Sequence, residues 1–170
     1  MAAAATRRAV VTGVAGAGKT TLLDALRERG WATGGDAARD LVRADVRVRD
    51  DHEAFRRAIL AREVAAYDAA TRTTFFDRGI PDVAAGWTDL PEDVDAIVRS
   101  HPYDAVYLLP PWREIYVTDA ERTHTFDEAV RAHAAILETY ARYGYDVVIL
   151  PRASVEERVS IVETTEAGAS

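Results

Sequence analysis

Short apolar runs alternate with longer amphipathic stretches along this chain. Arg8-Ala9-Val10-Val11-Thr12-Gly13 reads as a strand closed by glycine, and Gly18–Arg29 as a helix with Leu22, Leu23, Ala25 and Leu26 on one face, ended by Gly30. A second strand is expected near Trp31–Gly35. Helices are expected over Asp36–Val46 and Asp51–Arg72, the latter with Phe55, Ile59, Leu60 and Val64 in register. Thr73–Asp77 predicts a third strand, followed by a helical stretch over Ile80–Arg99 interrupted near Leu90-Pro91. Tyr103–Leu109 predicts a fourth strand, stopped by Pro110-Pro111. Beyond a polar segment, Phe126–Tyr143 reads as a helix, Asp146–Leu150 as a fifth strand and Ser154–Val162 as a closing helix. Strands that are almost continuously apolar, separated by helices, imply a parallel sheet buried on both faces. The expected fold class is therefore α/β, a three-layer αβα sandwich around a five-stranded parallel sheet.

At 170 residues the chain is long enough for one ordinary core, so residues 1–170 are read as a single domain. With no cysteine, disulfides, zinc–thiolate sites and thiol nucleophiles are excluded. Asparagine is absent too, which removes N-glycosylation and the Asn-Lys-x-Asp guanine-reading motif. A net charge of −7 disfavours a general binder of nucleic acid or anionic membranes, so any phosphate site must be a local basic pocket. The first eight residues do not form a secretory signal, and no apolar run approaches the length of a membrane span. These features predict a cytoplasmic protein with no nucleic-acid or membrane partner; the sequence leaves the oligomeric state open between monomer and homodimer, and the motifs below point to a small-molecule partner.

Of 21 basic residues, Lys19 is the only lysine. An ammonium is a compact point charge where arginine is a broad planar fork, so a lone lysine in an arginine-rich chain draws attention to its position. That position lies in Gly13-Val14-Ala15-Gly16-Ala17-Gly18-Lys19-Thr20, which matches G-x-x-x-x-G-K-[ST] without a mismatch, between a predicted strand and a predicted helix. A polyphosphate needs several converging N–H donors, and backbone amides provide them where side chains do not block the approach. The helix that follows adds its partial positive charge. The candidate nucleotide-binding residues are therefore Gly13, Val14, Ala15, Gly16, Ala17, Gly18, Lys19, Thr20 and Thr21. Lys19 is expected to reach the β- and γ-phosphates of ATP, and the Thr20 hydroxyl to ligate Mg²⁺.

Phe75-Phe76-Asp77-Arg78-Gly79 places an acid and an arginine at the carboxyl end of the third strand, the edge at which parallel sheets bind ligands. Asp77 can hold Mg²⁺ through water or accept a proton from an attacking hydroxyl; Arg78 can neutralise charge on the acceptor. The alternative is an Asp that caps the next turn beside a surface arginine. Asp36 and Arg39 follow the second strand and are candidates for the acceptor pocket, or else an N-cap and a solvated helix face. His52, His101 and His133 read as solvated helix or turn residues.

Together with the segment Leu109-Pro110-Pro111-Trp112-Arg113-Glu114-Ile115-Tyr116-Val117-Thr118-Asp119-Ala120-Glu121-Arg122, these motifs resemble a family of small bacterial predicted ATPases that carry a general AAA label. Their layout is similar to that of P-loop nucleoside and small-molecule kinases. The resemblance extends through Ser154–Val159 and departs from the pattern at Asp36, where related sequences often carry Glu. It implies a kinase-type sheet with the Lys19 and Asp77 strands adjacent, and a lid over about 111–125. In that lid Arg122 is expected on the transferred phosphoryl, and Arg113 on phosphate or adenine. It also implies a loop at Pro151-Arg152 against adenine. Catalytic roles fall on Lys19, Asp77, Arg78 and Arg122.

Two functional classes follow. One is an ATP- and Mg²⁺-dependent phosphotransferase acting on a nucleoside, nucleotide or metabolite alcohol, favoured by the compact size, the Asp-Arg pair and the arginine-bearing lid. The other is a nucleotide-hydrolysing switch working through a protein partner.

Overall fold

A computed structural model describes residues 6–44, 51–85, 87–115 and 125–169. Five parallel strands form one sheet: β1 (Arg8–Gly13), β2 (Ala32–Thr33), β3 (Thr74–Asp77), β4 (Ala105–Leu109) and β5 (Val147–Ile149), in the spatial order β2-β3-β1-β4-β5. The described helices are α1 (Lys19–Glu28), α2 (Ala37–Ala44), α3 (His52–Ala69), α4 (Ile80–Ala84), α5 (Glu92–Ser100), α6 (Phe126–Arg142) and α7 (Val155–Gly168). A three-residue 3-10 turn covers Arg113–Ile115. The expected five-stranded αβα architecture is the observed one.

Side-chain alternation along the strands explains why they read as unbroken apolar runs. Phe75 packs edge-on against Trp31, with ring centroids 5.4 Å apart, and lies 6.2 Å from Tyr107. Tyr107 in turn reaches α7, where its hydroxyl donates to Glu166 Oε1 at 2.7 Å. The next residue, Phe76, points to the opposite face and meets Tyr103 and Tyr67 at 5.7 and 6.4 Å. Thus α1 and α7 pack together on one face, while α4 gathers α3, α5 and α6 on the other. Burial on both faces keeps β1, β3 and β4 apolar between their ends, apart from Thr12 and Tyr107, whose hydroxyls donate to Asp82 and Glu166.

Most predicted elements are present within one to three residues of their expected ends, and the expected end of the second helix at Val46 lies outside the described residues. Two differ in substance. The helical stretch from Ile80 breaks into α4 and α5, with residues 85–91 between them (86 lying outside the description), a wider break than Leu90-Pro91 alone suggested. The closing helix runs six residues past Val162, although Thr164-Thr165 are weak helix formers. Tertiary contacts hold that extension. Glu163 accepts from Arg29 and from the Trp31 indole at 2.8 and 3.0 Å, and Glu166 accepts from Arg7 Nε at 2.8 Å.

Register positions the chemistry. Val11 lies beside Asp77 of β3 and Tyr107 of β4, and Gly13 beside Leu109. The connections after β1 and β3 lead to opposite sides of β1, so their carboxyl ends open a crevice of the kind that holds ligands in such sheets.

Candidate active site

The turn from β1 into α1 is built by the main chain. Gly13 adopts φ +142, and a Cβ there would sit 2.6 Å from the Leu109 carbonyl oxygen, so only glycine fits against β4. Gly18, at φ +93, precedes α1 in the left-handed region. Lys19 is 8% exposed, and its ammonium donates to the Gly13 and Val14 carbonyls at 2.9 and 3.0 Å. An ammonium has three donors, so one remains for a phosphate. Burial, and then the neighbouring Arg78 cation, pull the Lys19 pKa down to about 7, against the opposing pull of Asp77, Asp36 and Asp82.

The turn from β3 into α4 is built by side chains. Arg78 takes φ +72, a left-handed conformation unusual outside glycine, while its N–H donates to Val11 O at 3.0 Å. Asp82 holds this turn: one carboxylate oxygen accepts from Gly79 N at 2.8 Å and Tyr140 OH at 2.6 Å, and the other accepts from the Thr12 hydroxyl. Asp77 is 6% exposed, and its Oδ1 has no hydrogen-bond partner. Burial raises its pKa, with Lys19 the largest opposing influence. A buried carboxylate oxygen without a partner is rare in a folded protein, and one is expected where a ligand, water or ion supplies the missing bond.

Thr20, Asp36, Arg39 and Asp77 line one cavity of about 180 Å³, together with Arg27, Arg43, Asp24, Asp40 and the Gly34-Gly35 backbone. Asp36 keeps its capping role as well: Oδ1 accepts from Arg39 N at 3.0 Å. The capping reading of Asp36 is the observed one, and the same residue lines the cavity. A larger cavity, of about 520 Å³, lies between the start of β4 and the segment before β5. That is the amino edge of the sheet, away from both turns.

The remaining expected site residues are placed as follows. Arg113 is exposed, its guanidinium carbon 4.1 Å from the Phe126 ring centroid. Arg152 donates through Nε to the Pro111 carbonyl at 2.9 Å, tying the loop after β5 to the segment after β4. Arg122 lies outside the described residues, as do Tyr116, Asp119 and His124. Two histidines depart from the solvated reading: His101 packs edge-on against Tyr67 at 5.1 Å, and His133 has a buried Nδ1 without a partner.

Sequence reasoning missed Glu63, Asp82 and Arg158. Glu63 is 3% exposed on α3, and its pKa rises to about 8 through burial and then the carboxylates of Asp82, Asp36 and Asp77. The available signal was its spacing: it falls three and four residues after Leu60 and Ile59, on the apolar stripe. For Asp82 the signal was its place three residues after Gly79, where an acid can reach back to a helix start.

Among the described residues there is no group of three or more metal-ligating His, Asp or Glu side chains. A Mg²⁺ ion that takes most of its ligands from phosphates and water needs fewer, and Thr20 with the partnerless Asp77 Oδ1 fits that donor set. No described helix is long and apolar enough to cross a membrane.

A sequence profile of the AAA domain matches residues 8–158. The chain belongs to this family. A search of curated proteins found no significant sequence match. Among solved structures the fold is similar to deoxyadenosine kinase from M. mycoides with the products dCMP and a flexible dCDP bound. The two have a TM-score of 0.70 at 13% identity, covering 96% of this chain and 100% of that one. It is also similar to NadR protein in complex with NAD and AMP-PNP, with a TM-score of 0.64 at 17% identity, covering 95% of this chain and 49% of the other. Shikimate kinase from Bacteroides thetaiotaomicron gives a TM-score of 0.58 at 17% identity, with 96% and 99% covered. At these identities the likeness is one of fold: that of the P-loop kinases.

Proposed function

We propose that this AAA-domain protein is an ATP- and Mg²⁺-dependent phosphotransferase that moves the γ-phosphate to a small hydrophilic acceptor. The observation that carries the reading is the shared cavity. It joins Thr20, at the start of the phosphate-loop helix, to Asp77, whose Oδ1 has no partner, and to Asp36 and Arg39 on the acceptor side. A hydrolytic switch has no need of a second, charged pocket at that place. The kinase fold of the three solved structures supports the same reading, as do the ligands named for two of them: deoxynucleotides, and NAD with AMP-PNP.

In this mechanism the amides of Gly13–Thr21 and the free donor of Lys19 grip the β- and γ-phosphates. Mg²⁺, held by Thr20 and through water by Asp77, would supply charge neutralisation on the phosphates. Asp77, with its raised pKa, accepts the proton of the attacking hydroxyl, and Arg78 holds the acceptor. Asp36 and Arg39 orient it. Arg113 and Arg122 close from the 111–125 lid, and Pro151-Arg152 flank adenine. Charges of both signs line the cavity and, among the described residues, no aromatic ring does, which suits a polar acceptor that hydrogen-bonds at several points. Residues 1–170 act as one kinase domain in the cytoplasm.

The test is incubation with Mg·ATP and a panel of nucleosides, nucleotides, sugars and cell extract, followed by mass spectrometry. A phosphorylated product that depends on one acceptor class supports the reading. ADP release at one rate whatever the acceptor, with none gaining phosphate, replaces it with a nucleotide-hydrolysing regulator that works through a protein partner.

A further inference from the structure

Arg158, on α7, is 4% exposed and outside every role assigned so far. Its Nε donates to the Pro151 carbonyl at 2.9 Å, and its Nη1 to the Ala17 carbonyl at 3.3 Å. The guanidinium carbon sits 5.0 Å from the centre of the Trp112 ring, and Nη2 is buried with no partner. No carboxylate among the described residues pairs with it, and burial alone lowers its pKa. Arg7, less buried on the same face of the sheet, shows the ordinary solution, pairing with Glu166 at 2.8 Å. Buried charges are as a rule paired, because leaving one unpaired forfeits its hydration without return.

The place of this cation names a counter-charge. A Cβ on Gly18 would lie 3.0 Å from Nη1, so the guanidinium rests directly against the last turn of the phosphate loop, where the amide donors of α1 begin. Resting on the nucleotide-site reading above, we propose that Arg158 is a positioning residue of that site. Its counter-charge is the polyphosphate of the bound nucleotide, and its bonds hold the phosphate loop (Ala17), the loop after β5 (Pro151) and the start of the lid (Trp112) in one arrangement. Three segments distant in sequence then respond together when the phosphates arrive. Trp112, stacked on the guanidinium, is a built-in reporter of that event.

The experiment uses the full chain as wild type, R158M, R158K and a W31F/W87F variant in which Trp112 is the sole indole. Calorimetry with Mg·ATP, Mg·ADP and AMP reads affinity, and thermal melting without ligand reads stability. The R158M loss should grow with phosphate charge, reaching about tenfold or more for ATP and shrinking towards none for AMP, with R158K recovering most of it. Equal losses for all three nucleotides, or a lower melting temperature with ATP affinity kept, would make Arg158 a structural strut and overturn the proposal. Should R158M fail to fold, Trp112 emission decides: a shift with saturating Mg·ATP and none with adenosine supports it, and unchanged emission overturns it. Wild type that binds no ATP removes the nucleotide site itself. Wild type and R158M that bind ATP equally remove only the role of Arg158.

Discussion

Two strand-to-helix turns lie side by side at the carboxyl edge of this sheet, and they are built by opposite means. After β1, glycines let the main chain curl, and two of the three donors of Lys19 are taken by the carbonyls of its own loop. After β3, there is no glycine at the left-handed position. Arg78 takes it, and the turn is held by Asp82, Thr12 and Tyr140, which come from three different elements. The first turn is self-contained, its backbone shaped by glycine and its lysine bonded within the loop. The second is a tertiary assembly that keeps one oxygen of Asp77 unsatisfied. Under the proposed function this contrast becomes a division of labour, in which the first loop grips phosphate and the second reacts.

The sharpest way to break this comparison is at Lys19. K19A should lower phosphoryl transfer by about 10²–10³-fold or more, while far-ultraviolet circular dichroism stays unchanged. Wild-type turnover by that variant would end the division. D77N keeps the shape of the second turn but removes its base and metal oxygen. It should cost roughly a hundredfold in kcat and raise the Mg²⁺ concentration needed for half-maximal rate. If its rate and metal dependence match wild type, the second turn does not react.

D82A tests whether the second turn depends on side chains. It leaves Tyr140 and Thr12 without their acceptor and should destabilise the fold by about 2 kcal/mol or more in urea melts. Glu63, close to the same carboxylates, holds its proton to about pH 8 in the folded chain against 4.5 as its ordinary value. Between those values the folded state binds the extra proton, so this group makes stability fall as pH rises from about 4.5 to 8. E63Q should therefore gain on wild type by about 1–2 kcal/mol at pH 8–9 relative to pH 5. A difference that does not vary with pH would show Glu63 to be charged throughout. The smallest effect concerns the strained backbone: R78G should raise stability by up to about 1 kcal/mol while turnover falls. Loss of stability there would show that the guanidinium supports the fold.

The same contrast explains how far the residues could be read in advance. Gly13–Thr20 is visible as a motif because a main-chain anion cradle needs particular residues at consecutive positions. Asp77 and Arg78 were visible because a charged pair at the end of an apolar strand breaks its pattern. Glu63 and Arg158 were hidden for the opposite reason. Each is a charged residue inside a helix, and local spacing gives no sign that one lies near the carboxylates of the second turn and the other against the last turn of the phosphate loop. The extension of α7 was hidden as well, since Glu163 and Glu166 find their partners in Arg29, Trp31, Arg7 and Tyr107.

The order of strands and helices, the parallel sheet and the glycine loop were written in the chain itself, because hydrophobic period and backbone freedom are properties of neighbouring residues. Which charges share a cavity, which carboxylate lacks a bond and which arginine is buried without an acid were decided only by packing. Desolvation and pairing depend on what the folded sheet brings near, and that is set by residues dozens of positions away.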